Sequence, residues 1–137
     1  MEIEKFDIEG PLLIKPKLFH DDRGSFFESY SELIYKDSGI QYHFVQDNQS
    51  RSSINVLRGL HFQLPPWEQG KLVRVAYGKA IDVAVDIRPS SPTYGKHIKV
   101  MLDDQSCHLF WIPPGFAHGF LALEENTTFV YKCTNWS

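Results

Sequence analysis

A chain of 137 residues is long enough for one domain with a real core and too short for two. Its 42% hydrophobic and 23% charged residues carry a net charge of −3 with both signs interspersed, which argues against a nucleic-acid binder needing a basic face. No apolar run is long enough for a membrane helix and the N-terminus is not signal-like; Cys107 and Cys133 sit in no CxxC spacing, so a cytoplasmic protein with reduced thiols is expected rather than a zinc site or a disulfide framework.

Residues 1–10 alternate apolar and polar through Ile3, Phe6 and Ile8, and Gly10-Pro11 ends the run. Leu12-Leu13-Ile14 reads as a short strand stopped by Lys15-Pro16. The stretch from Phe19 to Gly24 reads as a turn, because its aspartates cap backbone groups and its glycine accepts positive φ. Ser25 to Ser29 is strand-like. Ser29 and Glu32 have the spacing of a capping box ahead of Leu33, Ile34 and Gly39, which predicts one short helix. Tyr42 to Val45 reads as a strand, and the polar run Gln46 to Ser50 as a turn or a strand made polar for a ligand. From Val56 onward, apolar runs of strand length alternate with Pro, Gly and Asp breaks, the pattern of a sandwich or barrel of antiparallel strands. The prediction is one all-β domain over residues 1–137, in which aromatics at 14% suit stacked sheets or a pocket for flat ligands.

Four stretches carry groups that a purely structural strand does not need. In Val56 to Gln63 and Gln69 to Arg74, His61 and Lys71 interrupt apolar runs; an imidazole titrates near neutrality and an ammonium stabilises a developing oxyanion. A single strand histidine is also commonly just a hydrogen-bonded core residue. In Ile81 to Ile87, period-2 alternation puts Asp82, Ala84 and Asp86 on one face. That face meets either water or a polar barrel cavity, where Asp82 would orient a nearby His or Lys. Near the C-terminus, Tyr131 is either a core tyrosine or a source of a phenolic proton.

Pro113-Pro114-Gly115-Phe116-Ala117-His118 resembles the second signature of the cupin superfamily, where a Pro-Gly turn brings a histidine to the barrel mouth. The first cupin signature supplies an H-x-H pair and a Glu as metal ligands. Here the matching region has only His61, which points to a cupin without a metal.

Further blocks resemble the dTDP-4-dehydrorhamnose 3,5-epimerases of nucleotide-sugar pathways. They run in order from Asp21-Asp22-Arg23-Gly24 with Phe26 to Ser29, through Phe44 to Asn48 and Val56 to Gln63, to Gln69–Arg74, Asp82–Arg88, Ser91–Gly95, Trp111–Phe120 and Tyr131-Lys132. The resemblance implies a jelly-roll (cupin) barrel with no cofactor, acting as a homodimer on a nucleoside-diphosphate 4-keto-6-deoxyhexose in deoxysugar and O-antigen-like polysaccharide synthesis. It implies His61 as general base, Tyr131 as general acid and Lys71 near the ketone oxygen. Arg58 matches a phosphate contact, as does Arg23 from the neighbouring subunit. Gln46, Asn48, Phe26 and Glu28 match nucleoside contacts, and His118 a cavity residue. For Arg58 and His61 to serve one ligand the strand must bend or bulge near Gly59, which glycine permits.

Members of that family continue for several tens of residues beyond the Tyr131 region, and that tail carries an aspartate paired with the catalytic histidine, whereas this sequence ends at Ser137. Either another carboxylate, with Asp82 the first candidate, orients His61, or the base works unassisted, or activity is altered; the resemblance implies inversion at carbon 3, carbon 5 or both, and family members that act at carbon 3 alone make that single inversion the favoured expectation. Two other readings stand beside the epimerase: a non-catalytic sugar-nucleotide-binding cupin, and a metal-dependent cupin isomerase or dioxygenase.

Overall fold

In the computed structural model, which describes residues 1–137, the elements in chain order are β1 (Glu2–Lys5), β2 (Leu12–Lys15), β3 (Phe19–Asp21), β4 (Gly24–Phe26), α1 (Glu32–Asp37) and β5 (Gln46–Ser52). There follow β6 (Leu57–His61), β7 (Lys71–Tyr77), β8 (Lys79–Asp86), β9 (His97–Asp103), β10 (Leu109–Ile112), β11 (Phe116–Ala122) and β12 (Thr127–Cys133). Two antiparallel sheets face each other: a six-stranded one in the order β1-β2-β10-β7-β12-β5 and a four-stranded one in the order β6-β11-β8-β9. The β3–β4 hairpin stands apart as its own two-stranded sheet. This is the all-β jelly roll with one short helix that the sequence led us to expect. No helix is long and apolar enough to cross a membrane.

The alternation of each strand decides which side chains fill the space between the sheets. Val73, Val75, Phe110 and Phe129 from the six-stranded sheet meet Ala84, Leu102, Phe116 and Phe120 from the other in one continuous core. Phe120 and Phe129 stack across the gap at 4.0 Å between ring centroids. The outer face of the six-stranded sheet is covered as well: Ile14, Leu72, Leu109 and Trp111 pack against Tyr35 and Ile40 of the α1 segment. Leu109-Phe110-Trp111-Ile112 is buried on both faces for that reason, and so reads as an unbroken apolar run rather than an alternating one.

Local structure departs from the sequence reading in three places. The helix is capped by Ser31, whose hydroxyl accepts from the Ile34 amide at 3.5 Å, rather than by Ser29. Ser29 instead lends its carbonyl to the Tyr35 hydroxyl at 3.1 Å, which ties the approach to the buried side of the helix. Tyr42 to Val45 is not a strand: Tyr42 and Phe44 lean on Trp111 through ring contacts of 5.2 and 6.0 Å, so aromatic packing rather than a backbone ladder holds this segment. The polar run after it is the strand, β5, which pairs along its whole length with β12. The Asp-rich stretch from Phe19 is resolved as the β3–β4 hairpin, with the turn confined to Asp22 and Arg23.

Candidate active site

At one end of the jelly roll a cavity of about 230 Å³ opens between the two sheets, lined by His61, Lys71, His118, Tyr131, Asn48 and Gln69 among others. His61 closes β6 and His118 lies directly opposite it on β11, both on the four-stranded sheet. Lys71 opens β7 and Tyr131 sits on β12, both on the six-stranded sheet. The imidazoles and the phenol therefore approach the cavity from opposite walls.

The placement of His61 depends on an irregularity in its strand. From Arg58 to His61, β6 advances three residues while β11 advances two, from Phe120 to His118, so one extra residue is accommodated at the bulge. Gly59 takes φ +119°, and a Cβ added there would lie 2.6 Å from the Gly119 Cα. A Cβ on Gly119 would in turn meet the Arg58 carbonyl oxygen at 2.8 Å. Two glycines facing each other let the strands approach closely enough for the bulge to form. The bend expected at Gly59 is present, and it breaks the strict alternation that would otherwise hold between Arg58 and His61.

Lys71 is half-buried, with its Nζ 5.7 Å from the centre of the Tyr131 ring. Burial pushes the Lys71 ammonium towards deprotonation, and Cys133 and Asp82 oppose that shift. Burial also raises the Tyr131 hydroxyl above the usual phenol range, keeping it in the protonated form. Cys133, buried beside Lys71 in the β12–β7 register, accepts a long contact from the Asn48 amide at 3.7 Å.

The polar face of β8 points inward. Asp82 and Asp86 are fully buried, whereas Ile81, Val83 and Val85 lie on the outer, half-exposed side. Asp82 does not orient His61, which corrects the expectation from sequence: its Oδ1 lies 2.6 Å from Nε2 of His118. The β8–β11 pairing explains the choice, since Asp82 and His118 occupy adjoining inward positions of neighbouring strands, while His61 is one strand further away. Burial raises the Asp82 carboxyl, and His118 and then Lys71 pull it back. Asp86 has a different task. It accepts from Arg88, Ser91 and Thr93 and fastens the loop after β8.

Of the remaining expected residues, Asn48 lines the cavity and Gln46 flanks it, donating to Asn48 at 3.1 Å and to the Ser137 hydroxyl at 3.0 Å. Arg58 stands outside the cavity, its Nε donating to the Ser52 hydroxyl at 2.9 Å. Arg23, Phe26 and Glu28 are exposed and away from this chain's cavity; Arg23 pairs with Asp21 at 2.6 Å on the β3–β4 hairpin. Sequence reasoning missed Gln63 and Gln69. Gln63 donates to the Trp67 and Trp136 carbonyls and Gln69 to that of Asn135 at 2.7 Å, so both tie down the cavity rim. Both were discoverable, since Gln63 follows His61 by two residues and Gln69 precedes Lys71 by two, each within a stretch that the sequence marks out. No group of three or more His, Cys, Asp and Glu side chains converges in a way that could hold a metal ion.

Fold and cavity together define an enzyme of the cupin class built for proton transfer. A family model described as dTDP-4-dehydrorhamnose 3,5-epimerase matches residues 5–137. The chain belongs to the dTDP-4-dehydrorhamnose 3,5-epimerase family. The enzyme of that name from Salmonella typhimurium is 50% identical over 137 residues, covering 99% of this chain and 75% of its own. Its counterpart from Shigella flexneri is 49% identical, with 99% and 76% covered. Among solved structures, the 3,5-epimerase RmlC from Legionella pneumophila, in complex with dTDP-4-keto-L-rhamnose, superposes with a TM-score of 0.96 at 47% identity, covering 99% of this chain and 72% of that one.

Proposed function

We propose that the protein epimerises a nucleoside-diphosphate 4-keto-6-deoxyhexose at carbon 3 and carbon 5, with residues 1–137 working as one catalytic domain. The observation that carries this reading is the meeting of His61 from one sheet with Lys71 and Tyr131 from the other in a single cavity. A proton next to a ketone is acidic enough to remove only if the enolate is stabilised as it forms. His61 takes the proton, Lys71 receives the developing charge on the ketone oxygen, and Tyr131 returns a proton to the opposite face of the carbon. Base and acid on opposing walls are what inversion requires. Retention on one wall would regenerate the substrate.

At about 230 Å³ the cavity is smaller than the 300–1,000 Å³ usual for a whole drug-sized ligand, so it suits the sugar ring and leaves the nucleotide outside. Two neighbouring surfaces compete for it. A groove of about 730 Å³ shares Phe62, Gln63, Ile87 and Gly115 with the cavity, but it carries Asp7, Glu9 and Glu68, and its one arginine, Arg88, is already paired with Asp86. In the other direction β5 runs from Asn48, in the cavity, to Ser52, which holds the Arg58 guanidinium, a group suited to a diphosphate. We assign the nucleotide to the Arg58 side.

The assembly in this reading is a homodimer in which Arg23, Phe26 and Glu28 of one subunit complete the nucleotide site of the other. Two features support it. The β3–β4 hairpin projects Phe19, Arg23 and Phe26 into solvent, away from its own cavity. The outer face of the four-stranded sheet exposes Leu57, Leu60 and Met101 beside half-buried Val83, as expected of a surface that meets another subunit. We also assign the enzyme to the cytoplasm, in keeping with two cysteines that are free thiols.

Incubation with dTDP-4-keto-6-deoxyglucose in deuterated water tests the reading. Deuterium at carbons 3 and 5 with inversion of both is the expected result. Deuterium at carbon 3 alone would restore the single-carbon expectation, and no exchange at either carbon would favour a binding protein.

A further inference from the structure

Asp82 is fully buried, its Oδ1 is 2.6 Å from His118 Nε2, and its Oδ2 has no hydrogen-bond partner. An ionised carboxylate so deeply buried persists only where cations compensate it. Two basic side chains are placed to do so: His118, bonded to it on the same sheet, and Lys71, which comes from the facing sheet and lines the same cavity as His118.

We propose that Asp82 is a positioning residue, the shared counter-ion that holds His118 and Lys71 in their protonated forms so that both donate to the enolate oxygen of the substrate. The inference rests on the epimerase reading above. With Nε2 donating to an ionised Asp82, Nδ1 is the imidazole nitrogen left for the sugar, and it donates there only when the ring carries both protons. The carboxylate balances that positive charge. Neither His118 nor Lys71 gives up a proton in the reaction: the proton from carbon goes to His61, the replacement comes from Tyr131, and solvent restores both. Asp82 thus acts on the stability of the enolate rather than on either transfer.

The test has two arms. In wild-type enzyme labelled with ¹⁵N-histidine, NMR should find His118 protonated on both Nε2 and Nδ1; a neutral His118, with its one proton on either nitrogen, overturns the proposal. Asp82→Asn keeps the shape and removes the charge. Its kcat should fall roughly 10- to 100-fold, less than the 10²–10³ for deleting an oxyanion donor outright, with KM within about 3-fold of wild type and the His118 signals shifted. A variant with kcat within about 3-fold of wild type overturns the proposal. A purely structural role would lower the melting temperature without moving kcat or the imidazole signals. If Asp82→Asn does not fold, the wild-type spectrum still decides. Wild type and His61→Ala assayed alongside separate the two readings, because a wild type that exchanges no deuterium defeats the epimerase assignment while the imidazole spectrum still reports on the Asp82 pair.

Discussion

In the proposed mechanism His61 and Tyr131 divide the labour of inversion, and single substitutions should separate their parts. His61→Ala should lower turnover by roughly 10²–10⁴ with the melting temperature little changed, because the side chain is exposed and leaves no core cavity. Comparable activity in that variant would mean that another group is the base. Tyr131→Phe should behave differently. Proton abstraction by His61 survives, but the opposite face loses its donor, so solvent exchange should outlast inversion. Measuring deuterium uptake and product stereochemistry in the same reaction checks this; equal loss of both would show that Tyr131 is needed before the proton leaves carbon. Burial supports the donor role, since it holds the phenol in its protonated form.

At the scale of elements, two features position the cavity. The first is the Gly59–Gly119 crossing. Gly119→Ala would push a methyl to 2.8 Å from the Arg58 carbonyl, forcing β6 away from β11 and His61 away from His118. Overpacking of this kind costs about 1–3 kcal/mol, and kcat should fall more steeply than stability suggests. Unfolding curves and turnover measured together check the prediction. The second is the Asp86 clamp, in which Arg88 reaches from the carboxylate to the Phe116 ring, 4.7 Å from its centre. Hydrogen bonds from Arg88, then from Ser91 and Thr93, hold the Asp86 carboxyl well below the usual range against the opposing effect of burial. A depressed folded-state pKa adds stability above the unfolded value and loses it as the pH falls towards the folded one. Asp86→Ala should therefore cost about 3 kcal/mol at neutral pH. The gap from wild type should narrow as the pH drops below about 4, as urea denaturation across that range would record.

The whole molecule raises the question of where one site ends and another begins. If Arg23 serves the neighbouring subunit, Arg23→Ala and His61→Ala homodimers should both be weak, and mixing them should rebuild one intact site per heterodimer. About a quarter of wild-type activity is then expected in a statistical mixture, from half the dimers each with one working site. No recovery after subunit exchange would put Arg23 in its own chain's service. The exposed β3–β4 hairpin and the exposed Leu57, Leu60 and Met101 are the surfaces this proposal assigns to the partner.

Much of this was readable from the chain alone. The recurrent breaks after Val56 implied short antiparallel strands, and Ile81 to Ile87 announced its two faces by alternation. Gly59 marked the bend beside His61, because a strand that must carry two functional groups out of phase needs a residue without Cβ. Those properties are local, set by side-chain size, backbone freedom and period. Tertiary structure decided what local rules leave open. The choice of His118 over His61 as the partner of Asp82 follows from strand order, since β11 and not β6 lies next to β8. Tyr42 to Val45 gave up its ladder for aromatic contacts with Trp111, a residue far along the sequence. Which face of β8 is buried was settled by the opposing sheet, which encloses Asp82 and Asp86 and leaves Val83 and Val85 outside. A strand's alternation defines two faces, but only the sheets packed around it determine which one meets the core.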